Sequence, residues 1–163
     1  MKVNAAKTYL PIDILNRRSV CWVGLGLFLI SACEGKPMTV NLDVVLFSYI
    51  ERPIFDAFIN GKAGSGSNGM PAVGGGTISG VTIPLGPQKV KWTLDGPEGM
   101  ARNGEVVLAK NNVELLNVPD SHRYLAIHIY PDDTVELITS VHYPRPSERG
   151  EIELAKWEQT HGK

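Results

Sequence analysis

The sequence predicts a mainly β protein, an antiparallel β-sandwich or partly open barrel with one C-terminal helix. Three observations point there. Apolar residues recur at every second position in several short runs between Met38 and Val141. Turn sequences separate the runs, among them Asn60-Gly61, Asp95-Gly96-Pro97 and Asn111-Asn112. No stretch before Pro146 carries a convincing helical period, and strands do not alternate with long helices as they would in a cytosolic α/β enzyme.

Residues 1–32 stand apart from that pattern. Lys2, Lys7 and the pair Arg17-Arg18 precede an uncharged apolar run from Val20 to Ile30, the layout of a secretory signal. The run is too short to span a bilayer, which needs about 20 residues. It ends in Leu29-Ile30-Ser31-Ala32-Cys33, two large aliphatics and two small residues before a cysteine. This resembles the lipobox of bacterial lipoproteins, which implies cleavage before Cys33 and lipid on that cysteine. The expected organisation is a signal peptide at 1–32, a lipidated tether at 33–37 and a single β-rich domain at 38–163.

That reading changes the chemistry expected of the mature chain. Cys21 leaves with the signal and Cys33 carries lipid, so no disulfide is expected even in an oxidising compartment. Of the 163 residues 131 remain, enough for one core, and the loss of four basic residues and one acidic residue takes the formal charge to −4. A mildly acidic chain disfavours nucleic acid and anionic lipid head groups as partners. The expected place is the cell envelope, lipid-anchored, with the outer membrane facing the periplasm favoured over the inner membrane; Glu34, next to the cysteine, leaves the sorting open.

Met38, Val40, Leu42, Val44, Leu46 and Ile50 alternate with Thr39, Asn41 and Asp43, as in a strand with one buried face. Ile54 to Ile59 is a second strand, ending at the Asn60-Gly61 turn. Lys62 to Gly76, rich in Gly and Ser, is expected to be a flexible connection, with contact to a partner as the alternative. It lacks the Lys-Ser/Thr pair and following helix of a phosphate cradle. Strands resume at Thr77 to Ile83, at Lys89 to Leu94 with Val90, Trp92 and Leu94 on one face, and at Glu105 to Lys110.

His122 to Tyr143 is the most informative segment. A tight turn at Tyr130-Pro131-Asp132-Asp133-Thr134 would set His122 near His142 and His128 opposite Glu136. Leu125, Ile127, Ile129, Val135, Leu137 and Val141 would then face the core. His122, Tyr124, His128, Tyr130, Glu136 and His142 would share the other face, as solvated sheet, a second buried interface, a metal site or a partner surface. Of these readings, the partner surface is the one kept as the candidate site; no third ligand for a metal stands out. After Pro146, Ser147 can cap a helix with Glu148 and Glu151 in its first turn, Gly162 can end it, and Ile152, Ala155 and Trp157 offer an apolar edge.

No catalytic constellation is legible. There is no free mature cysteine, no Gly-x-Ser-x-Gly elbow and no His-Glu-x-x-His pair, and the adjacent Asp132 and Asp133 suit a turn. The expectation is a protein that is not an enzyme, and no motif implies a cofactor.

The lipobox, Phe58-Ile59-Asn60-Gly61, the run Gly74-Gly75-Gly76, Val90-Lys91-Trp92 and His128-Ile129-Tyr130-Pro131 together resemble a family of proteobacterial lipoproteins with a single domain of unassigned function, associated with type VI secretion loci. The resemblance implies an immunity lipoprotein that binds and neutralises a secreted antibacterial effector, with a phospholipase as the effector class. Members of that family place cysteines just after the glycine run, where this chain has Thr77-Ile78-Ser79. The alternative is an envelope structural or assembly lipoprotein that binds glycan or an outer-membrane protein.

Overall fold

A computed structural model describes residues 38–162, so the segments expected to be a signal peptide and a lipidated tether, Cys33 included, lie outside the described residues. The chain is mainly β, with ten strands and one helix among the described residues: β1 (Thr39–Ser48), β2 (Ile54–Ile59), β3 (Lys62–Ser67), β4 (Gly74–Pro84), β5 (Gly86–Gln88), β6 (Val90–Leu94), β7 (Val106–Leu108), β8 (Val113–Leu115), β9 (Tyr124–Ile129), β10 (Val135–Ser140) and α1 (Glu148–His161). Eight strands form one curled sheet in the order β10-β9-β1-β4-β3-β2-β6-β7, and β5 pairs with β8 in a small ribbon. Of the two architectures predicted, this is the partly open barrel. All its pairings are antiparallel except β1 with β9.

The inside of the curl holds the main core. Leu42, Val44 and Leu46 of β1 meet Ile54, Ala57 and Ile59 of β2, Val90, Trp92 and Leu94 of β6, and Leu125, Ile127 and Ile129 of β9. Each fully buried large aliphatic contributes roughly 1.5–3 kcal/mol. Val135 joins this core and Leu137 packs against it, but Val141 is exposed, because β10 ends at Ser140 and the inside-outside alternation ends with it.

A second core lies outside the curl. Val45 and Phe47 of β1, Tyr49 just after it, Ala126 of β9, Tyr130 and Val73 cluster there, with Leu154 of α1 packed against them. β1 and β9 are therefore buried on both faces, so the single buried face read from the alternation of β1 is corrected over Val44 to Ser48. Central strands covered on both sides read as continuous apolar runs.

The glycine-rich segment forms strands rather than a flexible connection, and the glycines supply close approach. A Cβ on Gly66 would lie 2.7 Å from the Phe55 carbonyl oxygen, and one on Gly75 would lie 2.6 Å from that of Gly66. These contacts sit where β3 and β4 meet through the single Ser67–Gly75 pair and the sheet bends. The preceding hairpin has Asn60 and Gly61 at φ 50° and 75°, as a type I′ turn requires.

The open side of the curl is bridged. Lys110 donates its amide to the Asp133 carbonyl at 2.9 Å, and Asn111 makes two side-chain bonds to the backbone of Val135 on β10. The helix has the predicted caps: Ser147 Oγ accepts the Gly150 amide at 3.0 Å, and Gly162 donates to the Glu158 carbonyl at 3.0 Å. Its packed face differs from the predicted edge. Gly150 is buried and Leu154 packs against the second core; of the predicted edge, Ile152 and Ala155 are exposed and Trp157 is half-buried.

Candidate functional site

The face read as the candidate surface is built by β9 and its two neighbours. Parallel pairing sets Asp43 beside Tyr124, Val45 beside Ala126 and Phe47 beside His128. Antiparallel pairing sets Glu136 opposite His128, as predicted, and Ser140 opposite Tyr124. The chain from Pro144 through α1 then covers one half of this face and leaves the other half open.

On the covered half, His128 and Tyr130 have no exposed surface, so neither is available to a partner. Their placement on the non-core side is right, but a second core occupies that side. Phe47 stacks on His128 with centroids 4.9 Å apart, and Tyr49 stacks on Tyr130 at 5.3 Å. The Ser147 amide donates to the Tyr49 hydroxyl at 3.1 Å, and that hydroxyl lies 3.0 Å from His128 Nδ1. Which of the two atoms carries the shared hydrogen is set by the imidazole tautomer, and His128 Nε2 is buried without a hydrogen-bond partner among the described residues.

A second chain of bonds runs through the same caps. Tyr130 donates to Glu136 Oε2 at 2.6 Å and lies 2.7 Å from Ser147 Oγ, while Arg149 stacks 3.8 Å over the Tyr130 ring. Burial pushes the His128 imidazole down to about 4 despite the opposing pull of the Glu136 charge. Burial also raises both tyrosine hydroxyls, with Glu136 raising Tyr130 further. The result is a neutral network that docks the helix N-terminus on the sheet, with Glu136 at its exposed edge.

On the open half, Tyr124 is half-buried and His142 is exposed. His122 neither pairs with His142 nor shares this face: its Nδ1 lies 2.7 Å from Oγ1 of Thr139, which is opposite the core residue Leu125, because β9 and its alternation start only at Tyr124. Tyr143, 57 % exposed, meets Tyr124 edge-on at 5.6 Å and reaches Thr77 Oγ1 of β4 at 3.2 Å. Arg123 lies 6.0 Å from the Tyr124 ring, with Nε 3.4 Å from Asp43 Oδ2. Asp43 also accepts the Gly80 amide at 2.9 Å, and that bond first, then Arg123, holds its carboxyl below the usual range. Arg123 and Tyr143 were missed because strand alternation does not extend past the strand ends; the residue types in His122-Arg123-Tyr124 and His142-Tyr143 were the available signal.

Elsewhere, the loop between β6 and β7 is pinned by Arg52, which donates to the Asp95 carbonyl from Nε and Nη2 at 3.1 and 2.9 Å, to the Ala101 carbonyl and to Asn103 Oδ1. Arg102 holds a left-handed φ of 66° within this loop. Asp132 bonds Thr134 and Arg149 while Asp133 pairs with Lys110, so the adjacent carboxylates serve separate contacts. Among the described residues, no group of three or more His, Cys, Asp or Glu side chains is placed to hold a metal ion, and no helix is long and apolar enough to cross a membrane.

A curled eight-strand sheet covered outside by one helix, with exposed Arg123 and Tyr143 beside that cover, defines a half-barrel β domain. No protein-family model, no curated protein and no solved structure matches the chain.

Proposed function

We propose that this chain is a lipoprotein acylated at Cys33 and held at the outer membrane facing the periplasm, where its β domain acts as an immunity protein. It binds and neutralises an antibacterial effector of a type VI secretion system, with a phospholipase as the effector class, and performs no catalysis itself. The observation that carries the binding reading is the Arg123, Tyr124 and Tyr143 patch, with the exposed His142 next to Tyr143 in the chain, on a framework fixed by β1, β4 and β9. Tyr and Arg are the residue types that dominate interface energetics, and a patch ordered before binding loses little conformational entropy on contact. The lipobox supports the anchor, and a periplasmic location is where such an effector acts.

The test is a rescue experiment. A secreted effector from the same locus is expressed in the periplasm of a susceptible strain, with and without this lipoprotein, and survival and direct binding are followed. Survival together with a stable complex supports the immunity role. Death without binding, despite correct export, transfers the assignment to an envelope structural or assembly lipoprotein.

A further inference from the structure

Met38, at the start of the described chain, is 75 % exposed, and its carbonyl accepts the Leu85 amide at 2.8 Å. The domain therefore begins at the corner where β4 turns into β5. At the same corner Gly86 pairs with Leu115, and the following residue, Leu116, is 69 % exposed. Two large apolar side chains thus stand in solvent beside the chain's entry point. Two lysines lie on or beside the strands that lead to this corner. Lys62 Nζ donates to the Thr82 carbonyl at 2.7 Å near the end of β4, and the exposed Lys89 follows β5, its amide bound to Asn60 Oδ1 at 2.9 Å.

Cys33 lies five residues before Met38, a span that full extension carries no farther than about 18 Å. A domain of this length has a radius of gyration of roughly 14 Å. The tether is thus short compared with the breadth of the domain, and it enters at the apolar corner.

We propose that this corner, with Met38 and Leu116 at its centre and Lys62 and Lys89 at its rim, is the face that rests on the bilayer holding the Cys33 acyl chains. The inference rests on the lipid-anchor reading of Cys33. Methionine and leucine enter the interfacial zone, while lysine stems lie along apolar surface and deliver their ammonium groups to anionic head groups. The orientation keeps the partner patch accessible: Tyr124 pairs with Asp43, five residues along β1 from Met38 and so about 16 Å from it.

The test uses the full lipoprotein, which carries no free thiol once Cys21 is removed and Cys33 is acylated. Met38→Cys, Leu116→Cys and, as a distal reference, Met100→Cys are each labelled with a fluorophore. Met100 lies 41 % exposed on the loop beyond the opposite end of β6. Each protein is reconstituted into vesicles of phosphatidylethanolamine and phosphatidylglycerol containing a spin-labelled quencher lipid. Several-fold stronger quenching at 38 and 116 than at 100 is the expected result. Equal quenching at all three, or none at 38 and 116, overturns the assigned face. Shielding of 38 and 116 from aqueous iodide without lipid quenching also overturns it, in favour of a protein on that corner. Acylation is read independently from the mass of the N-terminal peptide. An unacylated chain overturns the anchor and this inference together, whereas an acylated chain with unquenched probes overturns only the second.

Discussion

The Asn111 side chain joins β10 as a strand backbone would: its Oδ1 accepts the Val135 amide at 2.8 Å and its Nδ2 donates to the Val135 carbonyl at 2.9 Å. Both Val135 groups point away from β9, and β10 is the last strand on that side of the sheet. One amide side chain thus satisfies an edge residue that would otherwise be a template for pairing with another chain. Together with the Lys110 amide on the Asp133 carbonyl, it ties the segment after β7 to the opposite end of the eight-strand sheet.

Asn111→Ala should therefore lower stability by about 1–2 kcal/mol and leave the Val135 amide unprotected. Asn111→Asp, which keeps the acceptor and loses the donor, should fall between the two. Urea midpoints and amide exchange at Val135 check this; unchanged exchange in the Ala variant would show that the seam does not depend on the side chain.

The buried imidazole makes stability depend on pH in a defined window. His128 titrates near 4 when folded and near 6.5 when unfolded, so between those values the unfolded chain binds the extra proton. Its contribution is complete above pH 6.5 and is lost as pH falls through about 4, a total of about 3 kcal/mol. His128→Phe preserves a ring against Phe47 and should flatten this part of the profile. An identical pH dependence in variant and parent would assign the titration to another group.

Gly150→Ala separates helix propensity from docking. Alanine in a helix interior stabilises by about 1 kcal/mol relative to glycine. Here the added Cβ would overlap the Tyr49 ring and hydroxyl, so the helix must lift from the second core. The expected net effect is a loss of about 1–3 kcal/mol in chemical denaturation. A gain in stability would mean that α1 is not held against Tyr49.

Arg123→Ala and Tyr143→Ala address the partner patch without touching the main core. Both side chains are largely exposed, so each change should alter folding stability by no more than about 0.5 kcal/mol. Each should weaken effector binding at least about tenfold, equivalent to roughly 1.4 kcal/mol, as measured by calorimetry. Undiminished affinity in the double variant would place the interface elsewhere on the domain.

Much of this architecture was legible in residue order. The alternation of Val90, Trp92 and Leu94, the Asn60-Gly61 turn, the His128 to Glu136 register and the Ser147 cap depend on neighbours a few positions away, and period and turn chemistry report those directly. Residue order alone implies the β class, the single late helix with its caps and the apolar face of Leu125, Ile127 and Ile129. What lies on the other face follows from the packing of distant elements. Period two says that His128 and Tyr130 point away from the main core, but not whether water or another element meets them there. The parallel pairing of β1 with β9 lays Phe47 and Tyr49 alongside these two residues, and the returning chain seals them beneath Ser147 and Gly150. Burial of a side chain is a property of elements distant in sequence, so the separation of His128 and Tyr130, sealed under the helix, from Tyr124 and His142 on the open half exists only in three dimensions.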